Sequence, residues 1–204
     1  MRLYRVAVPT IRPATSDDLP AVGRALAAAF DDDPVWNWLR SPRADWATHA
    51  PAWFAKEAEV QLKGRGEVLV DDELRGAAIW SPPLAWKSTK KEGLALAVPS
   101  VRLFGSRVRR GIQLVDKLEK RHPNGRHWYL AILGTDPAHQ GSGVGSALIS
   151  TITDRCDEEG LGAYLESSKA ENVPFYARHG FEVRDEVRLP SGPPMWLMWR
   201  KPKG

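Results

Sequence analysis

Apolar residues recur at helical spacing early in the chain. Leu19, Val22, Leu26 and Phe30 follow Thr15-Ser16-Asp17-Asp18, a capping residue with carboxylates in the first turn, and predict a helix that Asp31-Asp32-Asp33-Pro34 ends. A second helical stretch runs from about Arg43 to Lys63, carrying Trp46, Trp53 and Phe54. After Gly64 and Gly66 the pattern turns to short strands, near Glu67–Val70 and Ala77–Trp80, joined through Asp71-Asp72 and ended by Pro82-Pro83. Val108, Ile112, Val115 and Leu118 give the next region an amphipathic helical stripe. Trp128–Thr135 is a nearly continuous apolar run of strand length. From Gly143 to about Glu159, Val144, Leu148, Ile152 and Cys156 recur every four residues. Ala163–Leu165 reads as a strand, Asn172–His179 as a short helix, and Phe181–Val187 with Met195–Trp199 as a closing strand pair. Ile11 and Arg12 end a short first strand. The order predicts an α/β fold with a mixed, mostly antiparallel sheet of six to seven strands flanked by helices.

The chemistry gathers at one strand-to-helix junction, LGTDPAHQGSGVGSAL, residues 133–148. Glycines at 141, 143 and 145 leave the backbone bare, so Gln140, Gly141, Ser142, Gly143, Val144, Gly145 and Ser146 can bring N–H groups close to an anion. The helix that follows adds its own unsatisfied donors and the positive end of its dipole. This predicts a pyrophosphate cradle. The dinucleotide pattern G-x-G-x-x-G fails because Ser146 stands at its last position, and no Gly-Lys-Ser/Thr follows as a P-loop requires.

Composition narrows the classes further. Of 204 residues, 43% are apolar, enough for one domain with a full core. No stretch approaches the roughly 20 apolar residues of a membrane span. Residues 1–13 open with a positive charge but carry too short an apolar run for a signal peptide. The single cysteine, Cys156, excludes an internal disulfide and a Cys-based metal cluster, and is spaced as inert packing. A cytoplasmic protein with no metal is expected. The net charge of +4 is too modest to indicate nucleic acid. It is uneven, however: residues 84–126 hold eleven Lys/Arg against three Asp/Glu, a basic helical insertion read as a solvated face, a polyanion site or a partner surface.

Gln140, Gly143 and Gly145 match the Q/R-x-x-G-x-G/A signature of the GNAT superfamily, with Pro137 before them. Asn172, Tyr176 and the Gly180-Phe181 pair continue the likeness downstream. The chain thus resembles GNAT N-acetyltransferases from about Trp128 to its end. It is similar at closer range to puromycin N-acetyltransferase-like enzymes in residues 10–22, 27–30 and 195–202; residues 84–126 do not match that group. The resemblance implies one GNAT domain over 1–204, its sheet splayed at the site of acetyl-CoA. It implies that the cofactor's pantetheine arm pairs with Leu133, Gly134 and Thr135, Gly134 leaving that edge unobstructed, and that a backbone N–H there polarises the thioester carbonyl. Tyr176 becomes the candidate general acid, with Asn172 facing the cofactor beside it. Glu166 is a candidate general base. Asp31, Asp32, Asp33 and Trp36, with Trp38 and Trp46 nearby, could receive a cationic amine with an aromatic body, although a triple Asp also suits a solvated turn. His49 reads as structural and His139 as solvent-facing. Three functions stay open: transfer to a small-molecule amine, transfer to a peptide or protein, and non-catalytic acyl-CoA binding. The expected partners are a small amine and no nucleic acid or membrane, in a monomer or homodimer.

Overall fold

Arg12 grips both carboxylate oxygens of Asp18, at 2.7 and 3.0 Å, and the Thr15 N–H and hydroxyl donate to the same carboxylate. This knot joins the first strand, β1 (Ile11–Pro13), to the first helix, α1 (Leu19–Ala29). The computed structural model describes residues 9–188 and 191–203, so most of the segment tested for a signal sequence lies outside the described residues. Helices α2 (Pro34–Leu39), α3 (Trp46–Lys63), α4 (Lys90–Phe104), α5 (Val108–Glu119), α6 (Val144–Glu159) and α7 (Val173–Arg178) follow in chain order. The remaining strands are β2 (Glu67–Asp71), β3 (Gly76–Ser81), β4 (His127–Thr135), β5 (Gly162–Ser167), β6 (Phe181–Arg188) and β7 (Pro194–Arg200).

The seven strands form one sheet in the order β1-β2-β3-β4-β5-β7-β6, antiparallel except between β4 and β5. The mixed sheet and its flanking helices agree with the expectation. Its decisive feature is how little of β4 pairs with β5. The parallel ladder runs from His127 opposite Gly162 to Leu130 opposite Leu165 and stops. At that point the β3 partner of β4 shifts from Leu130 to Ile132, leaving Ala131 as an inserted residue. Such a bulge bends a strand and raises its twist. Residues 132–135 therefore stay paired to β3 but leave β5, and the sheet opens into a wedge.

Each face is sealed separately. Val22, Leu26, Phe54 and Leu103 of α1, α3 and α4 pack on one side with Ile79. On the other, Val144, Leu148, Ile152 and Cys156 of α6 are all at most 1% exposed beneath Trp80 and Leu130. Burying that stripe is what holds α6 on the sheet, each full aliphatic side chain contributing about 2 kcal/mol. Burial also raises the Cys156 thiol to about 12, as suits an inert core residue.

Two sequence expectations require correction. Residues 34–39, to which the sequence pattern gives no element beyond the break Asp31-Asp32-Asp33-Pro34, form α2, because the Asp33 carboxylate accepts from the Val35 and Trp36 N–H groups and Pro34 is suited to a first helical position. The basic insertion is two helices, and only the ends of its stripe, Val108 and Leu118, pack on the core. Ile112 is 65% and Val115 54% exposed, whereas Leu114 is buried. Helix α5 leans on the core by Leu114, with Val108 and Leu118 packed beside it.

Candidate active site

The glycine turn is built as the sequence suggests. Asp136 caps the turn Pro137–His139 by accepting from the Ala138 N–H, and the Gln140 side-chain amide donates to the Thr135 carbonyl at 3.3 Å. Gly141 and Gly143 then adopt φ +77° and +89°, left-handed values that a side chain resists. Gly143 is the N-cap of α6 and supplies no capping side chain. Among the described residues, no N–H from Gly141 to Ser146 donates a hydrogen bond within the chain. Those donors face a cleft of about 900 Å³, which Lys169 and Arg178 also line. Alternating backbone conformations of this kind make an anion nest, here in front of a helix dipole.

The wedge continues the cleft. Leu133, Gly134 and Thr135 line it, with Asn172 and Tyr176 across from them. Gly134 is small for a reason the sequence did not show: a Cβ there would lie 2.8 Å from Ala29 Cβ and 2.9 Å from Leu26 Cδ2, so α1 sets its size rather than an open edge. Gly145, by contrast, would meet only ordinary contacts at 3.5 Å, with Phe175 and Thr135. Its bareness serves the space in front of it.

A second cavity, about 350 Å³, lies on the α2, α3 and α5 side. Phe30, Leu133, Asn172 and Tyr176 line both cavities, so the two meet at the wedge. Trp36, Trp53 and Trp86 wall the second one, and Glu57, Glu119, His122, Tyr129 and Glu166 are among its polar groups. Tyr176 is 8% exposed, and burial followed by the nearby Asp33 charge raises its phenol above the ordinary value, which keeps it protonated. The Glu166 side chain is 5% exposed and accepts from the Tyr129 hydroxyl at 2.7 Å. Burial raises its carboxyl to about 7, Tyr129 partly opposing the rise. Burial likewise raises Glu57, although the Gln61 amide donates to it at 2.9 Å.

The aspartate run lines the cleft of the glycine turn. Asp31, Asp32 and Asp33 line the glycine-turn cleft and not the aromatic cavity. Each already has a partner: Asp31 pairs with Arg40 at 3.5 Å, Asp32 with Lys169, and Asp33 caps α2 while accepting from the Ser168 hydroxyl. Trp36 does wall the aromatic cavity, but Trp46 is core, its indole N–H donating to the Ala27 carbonyl. His49 lines neither cavity, and His139 lies at the rim of the larger one. Sequence reasoning missed Glu57, Tyr129, His122 and His127. One signal for Glu57 was present, since Trp53, Glu57 and Gln61 recur every four residues on one face of α3. Nothing in the spacing marks the histidines, which a turn brings together. Among the described residues, no group of three or more His, Cys, Asp or Glu is placed to hold a metal ion, and no helix is long and apolar enough to cross a membrane.

Residues 109–183 match the acetyltransferase (GNAT) domain model. An N-acetyltransferase of Schizosaccharomyces pombe, itself described as uncharacterized, is 30% identical over 91% of this chain and 81% of its own length. The chain belongs to the GNAT acetyltransferase family. It is an acyltransferase, and enzymes of this family use acetyl-CoA. The GNAT fold is shared with a Corynebacterium glutamicum structure described as histone acetyltransferase HPA2 and related acetyltransferase, at 26% identity and TM-score 0.69, covering 97% of this chain and 98% of the other. A Drosophila melanogaster polyamine N-acetyltransferase shares that fold at 14% identity and TM-score 0.62, over 94% of this chain and 99% of its own. In this GNAT enzyme the free donors of the nest, the two cations and the open strand edge fit a pyrophosphate with an extended amide arm.

Proposed function

We propose that this GNAT enzyme acetylates the primary amine of a small molecule with a flat, apolar body, by direct attack in a ternary complex. The observation that carries the reading is the meeting of the two cavities at Tyr176 and Leu133, one lined by the anion nest and the other by tryptophans and carboxylates. The Gly141–Ser146 backbone would hold the pyrophosphate of acetyl-CoA, and the free edge of β4 its amide arm. Acetyl-CoA supplies an acetyl group already activated as a thioester.

Glu57 and Glu166, rather than Asp31–Asp33, draw the ammonium into the aromatic cavity, where Trp36, Trp53 and Trp86 offer ring faces to a cation and its apolar body. Glu166 takes one proton and so frees the nitrogen lone pair. Held near 7, it is ionised in part at neutral pH yet basic enough to accept a proton. Tyr176, kept protonated, gives a proton to the departing sulfur, whose ordinary pKa of about 8.5 lies well below that of the phenol. An aminonucleoside, as the likeness to puromycin N-acetyltransferases suggests, is one acceptor of this class.

Thiol release measured over a panel of amines, with wild type and Glu166→Gln, tests the reading. Turnover on aromatic or heterocyclic primary amines that falls steeply in Glu166→Gln supports it. Turnover confined to peptides would move the acceptor to a protein tail, and acetyl-CoA binding without turnover on any amine or peptide would make this chain a binding module.

A further inference from the structure

Glu57 is a carboxylate of the aromatic cavity that takes no part in the proton transfer. It enters from α3, whereas Glu166 enters from β5, so the two stand on different walls, one helical and one of the sheet. Three carboxylates line this cavity, Glu57, Glu119 and Glu166, and among the described residues no Lys or Arg does. His122 adds no positive charge, because burial lowers it to about 3. Glu119 is paired at the rim with Lys87 at 3.3 Å, and Glu166 accepts from the Tyr129 hydroxyl. Glu57 has only the Gln61 amide, which donates to its Oε1 at 2.9 Å.

The cations near Glu57 along the chain are engaged elsewhere. Lys56 and Lys63 both hold Glu59, and Arg65 donates to the Lys87 carbonyl. Glu92, on α4, brings more negative charge, and its carboxylate caps that helix by accepting from the Thr89 N–H at 2.6 Å. Burial, and the Glu92 charge with it, raises the Glu57 carboxyl against the pull of Gln61. A carboxylate in such a place is costly until a cation meets it.

We propose that Glu57 determines specificity for an acceptor with two cationic nitrogens, one presented to Glu166 for acetylation and the other held by Glu57. This rests on the acceptor reading above and narrows it to a diamine, or to a primary amine whose body carries a second cation. A monoamine has one ammonium for two carboxylates on separate walls and cannot meet both. A dication meets both, and the body between its nitrogens lies along tryptophan rings, whose faces attract cations and apolar atoms alike. Those rings are held in place. The Trp53 indole N–H donates to the Ser100 hydroxyl at 3.0 Å, Trp36 stands edge-on to Trp53 with centroids 4.9 Å apart, and Trp86 is stacked on His122 at 3.7 Å. Acetylation neutralises only the nitrogen at Glu166. Turned round to react again, the product would set a neutral amide against Glu57, so the enzyme should stop at one acetyl group.

The test is steady-state kcat/KM for α,ω-diamines from butane to octane, each against the monoamine of equal chain length, and for para-xylylenediamine against its near-isostere para-ethylbenzylamine. In the wild type the best-fitting diamine should exceed its monoamine by about tenfold or more, beyond the statistical gain of equivalent ends, as one charge-assisted hydrogen bond allows. Glu57→Gln, which keeps the shape and removes the charge, should cost that diamine about tenfold more than the monoamine, and Glu57→Asp should restore part of the preference. Equal losses for both amines, or a wild type that turns over monoamines as well as any diamine, would overturn the role of Glu57 and leave the acceptor reading standing. A loss of preference as large in Glu119→Gln would reduce it to the general field of the cavity, and would overturn the role as well. Should the wild type acetylate no amine at all, the acceptor reading falls. Calorimetric binding of the same pairs to the complex with coenzyme A then decides the role of Glu57, and equal affinities would overturn it.

Discussion

The Tyr129 hydroxyl donates to Glu166 Oε2 at 2.7 Å, joining the last paired stretch of β4 to the inward face of β5. This bond favours the carboxylate and so pulls down a carboxyl that burial pushes up. A base that must be ionised gains activity as pH rises through its pKa. The alkaline-rising limb of kcat/KM, measured with an amine of much higher pKa, should have its midpoint near 7. Tyr129→Phe removes the opposing bond, so that midpoint should move to higher pH; a midpoint that stays or falls would mean another group governs the limb.

Tyr176→Phe deletes one hydroxyl and preserves the ring that packs against Phe181. Turnover should fall by roughly one to three orders of magnitude, within the range of general acid catalysis. Acetyl-CoA affinity, read by calorimetry, should barely change. Wild-type turnover in this variant would place protonation of the sulfur elsewhere.

Gly143→Leu forces a side chain into a φ of +89° at the N-cap of α6 and into the space before its free donors. The backbone cost is about 1–2 kcal/mol, which leaves a typical domain folded. Acetyl-CoA binding should be lost while circular dichroism stays native. Unchanged affinity would remove the phosphates from this turn.

Asp33→Ala should lower stability by about 1–2 kcal/mol, because two N–H groups at the start of α2 and the Ser168 hydroxyl lose their acceptor. Asp31→Asn with Asp32→Asn should cost far less, since both carboxylates are exposed. Melting temperatures compare the pair. The same double variant should leave KM for a cationic amine nearly unchanged, whereas Glu57→Gln should raise it. The reverse ranking would return the amine to the aspartates.

What could be read from the chain follows from where its information is local. The stripe Val144–Leu148–Ile152–Cys156 and the glycines before it encode α6 and its nest within twenty residues, and the structure has both. The partners of the run Asp31–Asp33 were not legible, because a sequence shows charge but not what meets it in the fold. Lys169 lies 137 positions from Asp32, and Ser168 lies 135 from Asp33. Helix α2 was hidden because six residues show too little periodicity, and its cap was counted as a breaker. The aromatic cavity is assembled from α2, α3, α5 and four strands, so no single stretch announces it. Val115 illustrates the converse: helical spacing suggested burial, yet it lies at the wall of that cavity and remains more than half exposed.

The departure of β4 from β5 after Leu130 has an evolutionary consequence. One cavity draws on the end of α1, the glycine turn and α7; the other draws mainly on α2, α3 and α5, with only a handful of residues common to both. Substitutions that reshape the tryptophan wall can accumulate without touching the nest. A lineage can thus exchange one amine for another while its acyl donor stays the same, and the shared residues, Tyr176 foremost, are those it is least free to change.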